Sequence, residues 1–146
     1  MTQIKFSQKQ LIQLKKMDIL VVYLFGSRAQ GFVNPLSDFD IGIIFENPEN
    51  YKDKTLEVYS ILYNVFGDVL PKAYLKQRFK MRVHEFDIVF LQFAPISFQF
   101  EAISQGKVLY EKDREKRLDY EEYVMKSSCD LKYFHDIREQ AILERI

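Results

Sequence analysis

Apolar and polar positions change period several times along the chain. Ser7 precedes QKQLIQLKK, where Leu11, Ile12 and Leu14 fall at helical spacing and Lys15 and Lys16 close the segment. A hydroxyl able to accept from a first-turn N–H, with cations near the carbonyl end, predicts a capped helix. Ile19 to Phe25 (ILVVYLF) is an unbroken β-branched and aromatic run ending at Gly26, the length and composition of a buried strand. Asp38 to Phe45 (DFDIGIIF) predicts a second strand, stopped by ENPEN.

Tyr51 to Phe66 carries Leu56, Tyr59, Ile61, Leu62, Tyr63 and Phe66 at roughly helical spacing, so a helix is expected there. Val69 to Arg82 shows no clean period and reads as a turn at Pro71 followed by a short basic helix or loop (KAYLKQRFKMR). Glu85 to Phe93 (EFDIVFLQF) predicts a third strand, Ile96 to Ser104 a helix ended by Gly106, and Val108 to Tyr110 a short edge strand. From Asp113 onward there is neither Gly nor Pro, and Tyr120, Val124, Leu131, Phe134 and Ala141 share one face, predicting a single long helix. Alternating helices and strands imply an α/β (α+β) domain, a sheet with helices packed on it.

Composition narrows the setting. The chain of 146 residues has 47% hydrophobic residues, five glycines and four prolines, the profile of one folded domain with a real core. Lys plus Arg (21) balances Asp plus Glu (21), so no overall field draws it to nucleic acid or to an anionic membrane. Direct nucleic-acid binding is therefore not expected. Cys129 is the one cysteine, so an intrachain disulfide is excluded. The first residues lack a continuous apolar h-region, and the longest apolar run is far below the roughly 20 residues of a membrane span. A cytoplasmic protein that does not enter membranes is expected.

The chemistry concentrates in GSRAQGFVNPLSDFD, Gly26 to Asp40. Asp38 and Asp40 are two apart on a predicted strand, so both carboxylates leave the same face. Like charges held that close are relieved by a raised pKa or by a bound cation. Carboxylate oxygens in this number suit Mg²⁺, which completes its shell with water and substrate phosphates. Asp87, inside the third predicted strand, joins them if that strand lies beside the second. Gly26 and Ser27 at a strand end expose backbone N–H groups and a hydroxyl, a phosphate cradle without the GK[ST] of a Walker A loop. His84 and His135 with a distant cysteine form no zinc set.

Gly26, Ser27, a ten-residue gap, Asp38 and Asp40, with Asp87 on a later strand, resemble the signature of the polymerase-β-type nucleotidyltransferase superfamily. The GSRAQG turn, the SDFDIGI strand and the closing GKVLYEKD are similar to the minimal nucleotidyltransferases (MNT or MntA-type) that act as antitoxins of HEPN-domain ribonuclease toxins. The resemblance implies a polymerase-β-like fold, a small mixed sheet flanked by helices. It would comprise a nucleotidyltransferase core over 1–112 and a C-terminal helix over 113–146 that belongs to the same domain or binds a partner. It further implies AMP transfer from ATP to a tyrosine of the toxin. Asp38, Asp40 and Asp87 would be catalytic and hold two Mg²⁺ ions, and Gly26, Ser27 and Arg28 would bind the nucleotide. A HEPN toxin is the expected partner, with a homo- or hetero-oligomer compatible with the chain. Two alternatives stand beside this expectation. One is a small-molecule nucleotidyltransferase of the aminoglycoside type, and the other a non-catalytic antitoxin that works by occlusion.

Overall fold

The computed structural model describes residues 6–25, 39–69 and 86–144. In chain order these form α1 (Gln8–Lys16), β1 (Ile19–Phe25), β2 (Phe39–Phe45), a 3-10 turn (Pro48–Tyr51) and α2 (Thr55–Val69). β3 (Phe86–Phe90), a second 3-10 turn (Leu91–Phe93), α3 (Ile96–Gln105), β4 (Lys107–Glu111) and α4 (Arg114–Glu144) follow. The basic stretch from Lys72 to Arg82 and His84 lie outside the described residues.

Four strands make one sheet in the order β3-β2-β1-β4. β1 pairs antiparallel with β2 and β4, whereas β2 and β3 run parallel. The sheet is therefore mixed, as expected. Parallel neighbours need a crossover, and the chain between β2 and β3 includes α2.

β1 is buried along its whole length, which explains its unbroken apolar run: both of its faces are covered. On one side Ile19, Val22 and Leu24 meet Ile41, Ile43 and Phe45 beneath Val58, Leu62 and Phe66 of α2. On the other side Val21, Tyr23, Phe25 and Ile44 pack with Leu91 and with Ala102 of α3.

The start of α1 follows its sequence closely. Ser7 Oγ accepts from the Gln10 N–H, and the Gln10 side chain accepts in return from the Ser7 N–H, a reciprocal cap. Three expectations need correction. The helix expected from Tyr51 begins instead at Thr55, because Pro48 opens a 3-10 turn and the Tyr51 ring stacks on Phe45, 4.3 Å between centroids. In α2 the buried positions are Val58, Leu62, Val65 and Phe66, while Leu56 is 84% exposed. The third strand ends at Phe90 rather than Phe93. There the Gln92 side chain takes over the ladder: its amide donates to the Phe45 carbonyl at 2.9 Å and its oxygen accepts the Phe45 N–H at 2.7 Å.

The final helix is continuous as expected, but its packing is not. Asp113 caps it, accepting from the Glu115 and Lys116 N–H groups. Val124 is buried, yet Leu131 and Ala141 are exposed, so among the described side chains of the face expected from Tyr120 to Ala141 the contact with the core lies near its start.

Candidate active site

Backbone register decides which carboxylates meet. In the parallel pair, Asp40 sits opposite Asp87, and across the other edge of β2 Asp40 pairs with Phe25, the last residue of β1. Partners on neighbouring strands project to the same face about 4.8 Å apart. Two aspartates from strands far apart in sequence are thus cross-strand neighbours, level with Phe25 at the end of β1. Asp40 is half-buried and Asp87 exposed.

The strand carrying Asp40 is tightly packed just beyond it. A Cβ on Gly42 would lie 2.6 Å from Leu91 Cδ1 and 3.1 Å from a Phe25 ring carbon. Any side chain there would press on Leu91 and on the Phe25 ring, so the stretch of strand that bears the carboxylate is closely packed.

Asp87 is held at the sheet edge. Its Oδ1 accepts from the Ile88 N–H at 3.0 Å and from the Tyr59 hydroxyl at 3.4 Å. Tyr59 comes from α2, and burial together with the negative charge of Asp87 pushes its hydroxyl pKa up. Beside it opens a groove of about 420 Å³ lined by Thr55, Leu56, Tyr59, Ile88, Val89 and Phe90, among others.

Of the residues expected to act, Asp40 and Asp87 are brought together. Gly26, Ser27, Arg28 and Asp38 lie outside the described residues. Hard carboxylate oxygens in register on adjacent strands are a donor set that fits Mg²⁺. Among the described residues no group of three or more His, Cys, Asp or Glu side chains could hold a metal ion, so the expected set would need Asp38 as its third member. Tyr59 escaped sequence reasoning, because a tyrosine on an amphipathic helix reads as core and only the fold puts its hydroxyl beside Asp87.

Residues 9–115 match the family described as Polymerase beta, Nucleotidyltransferase. The chain is 27% identical over 128 residues to the protein adenylyltransferase MntA of Aphanizomenon flos-aquae (strain 2012/KM1/D3), covering 88% of this chain and 79% of that protein. A chain of a toxin–antitoxin crystal structure with AMP-PNP superposes with a TM-score of 0.56 at 19% identity, over 95% of this chain and 97% of that one. A mutant MntA–HpeT toxin–antitoxin complex gives 0.53 at 20% identity, over 96% and 97%. At these identities the structural likeness establishes the fold. Among the described residues no helix is long and apolar enough to cross a membrane.

Proposed function

The chain belongs to the polymerase-β nucleotidyltransferase family, and from that premise we propose that it transfers AMP from ATP to a tyrosine hydroxyl of a HEPN-domain toxin and so acts as its antitoxin. The observation that carries the reading is the register of Asp40 with Asp87 beside the end of β1. Similarity to a protein adenylyltransferase supports protein, rather than a small molecule, as acceptor.

Asp38, Asp40 and Asp87 would hold two Mg²⁺ ions. When bound, these supply charge neutralisation for the attacking and leaving oxygens of an in-line displacement. The chain's own groups do the rest. Asp87 takes the proton of the acceptor hydroxyl as that oxygen bonds to the α-phosphorus. The bond from the α-phosphorus to the bridging oxygen breaks, and pyrophosphate leaves with the electron pair. Gly26 and Ser27 donate N–H and O–H groups to the β- and γ-phosphates, and Arg28 offsets their charge. The closely packed β2 keeps Asp40 still through the displacement, which limits reorganisation. The exposed residues of α4 beyond Val124, among them Leu131, Tyr133 and Ile137, supply surface for the toxin.

The test incubates the protein with Mg²⁺, ATP and a HEPN-domain toxin, then reads the intact mass of both. Whole AMP units should appear on the partner. Asp40→Asn should lower the transfer rate more than about 100-fold with the fold retained. A stable complex with no mass gain on either protein would overturn the reading in favour of occlusion.

A further inference from the structure

Asp87 occupies an awkward place for a group that must be held still. It lies on β3, the five-residue edge strand of the described sheet, and it is exposed. A solvent-facing carboxylate there rotates about two side-chain bonds unless something restrains it. Two donors do, and both fall on the same oxygen: the Ile88 N–H at 3.0 Å and the Tyr59 hydroxyl at 3.4 Å reach Oδ1. The backbone donor is local to the strand. Tyr59 comes from another element, 28 positions away, and therefore fixes the carboxylate relative to the body of the domain.

The phenol is itself restrained. Its ring packs against the core on the α2 side of the sheet and stacks with Tyr63, centroids 6.4 Å apart and planes at 17°. Phenylalanine would fill that space equally well. Packing accounts for the ring but not for the hydroxyl, whose described bond is to Asp87.

We propose that Tyr59 is a positioning residue for the transfer reaction: with the Ile88 N–H it ties down Oδ1 of Asp87, so that Oδ2 is presented to the metal and to the acceptor hydroxyl. The inference rests on the role given to Asp87 under Proposed function. Hydrogen-bond partners of metal-ligating carboxylates commonly govern metal affinity and activity over about 10- to 100-fold. The long Tyr59 contact places the expected effect near the lower end.

The experiment compares the full-length protein with Tyr59→Phe and Asp87→Asn. Steady-state AMP transfer to the HEPN partner is measured, as is calorimetric binding of Mn²⁺ in the presence of a non-hydrolysable ATP analogue. Tyr59→Phe should lower kcat about tenfold with KM for ATP unchanged, and weaken Mn²⁺ binding to a similar degree, at an unaltered melting temperature. Wild-type kcat and Mn²⁺ affinity in Tyr59→Phe, alongside an inactive Asp87→Asn, would overturn the positioning role and leave the site reading standing. Full activity in Asp87→Asn would overturn both.

Discussion

A missing side chain shapes the site as much as the carboxylates do. Gly42 follows Asp40 on the same face of β2, and Leu91 and Phe25 close over it so tightly that no Cβ fits without displacing them. Leu91 is fully buried, so its side chain must repack within the core to make way. Gly42→Ala is therefore expected to destabilise the protein by about 1–3 kcal/mol, the usual range for overpacking. Urea unfolding would measure it, and an unchanged midpoint would mean that Leu91 moves aside freely. Little of this was visible in DFDIGIIF, where glycine reads only as a weak strand residue. The placement of Asp40 on the second strand was legible, because an apolar run of strand length is a one-dimensional fact. Whether Asp87 would stand opposite Asp40 was not, since strand order belongs to the fold.

Elements with a local cause were read correctly, and those shaped by distant contacts were not. The first strand has its expected limits because seven apolar residues fit only between two covered faces. The first helix has its expected cap because Ser7 and Gln10 are neighbours in sequence. The second helix and third strand shift at their ends because Tyr51 stacks on Phe45 and Gln92 bonds the Phe45 backbone, pairings no local pattern announces. The docking of α4 is of the same kind. The Tyr23 hydroxyl, in the middle of the fully buried strand, donates to Glu121 at 2.7 Å, while Arg117 bridges Glu121 and Glu111. Tyr120 donates to the buried Gln99 at 2.8 Å. Glu121→Leu leaves the Tyr23 hydroxyl buried without its acceptor and should cost about 1–3 kcal/mol. Tyr23→Phe, which removes the hydroxyl itself, should cost less. Equal losses in thermal unfolding would mean that water reaches the Tyr23 hydroxyl in the Glu121 variant.

At the scale of the whole molecule, a cluster of charges joins the end of β2 to the start of α4. Glu46 accepts from Lys112 at 2.6 Å and from Lys116, and Lys112 Nζ also approaches Asp18 to 3.7 Å. Those lysine hydrogen bonds pull the Glu46 pKa from 4.5 down to about 2. A carboxylate with a depressed folded-state pKa contributes stability that is complete above its unfolded value and lost as pH falls through the folded one. The melting-temperature gap between the unaltered protein and Glu46→Gln should therefore be constant above about pH 5 and close as pH drops toward 2. A gap independent of pH would show that the cluster adds nothing through ionisation. The partial docking of α4 has one more consequence. Starting a helix is the costly step and extending it is cheap, so the turns fixed against the sheet up to Val124 act as a nucleus from which the exposed turns to Glu144 propagate. Those outer turns extend about 30 Å past Val124 at 1.5 Å per residue, yet their helicity is seeded by the docked first turns, where Tyr23, Gln99, Glu111 and the buried Val124 hold the helix to the sheet.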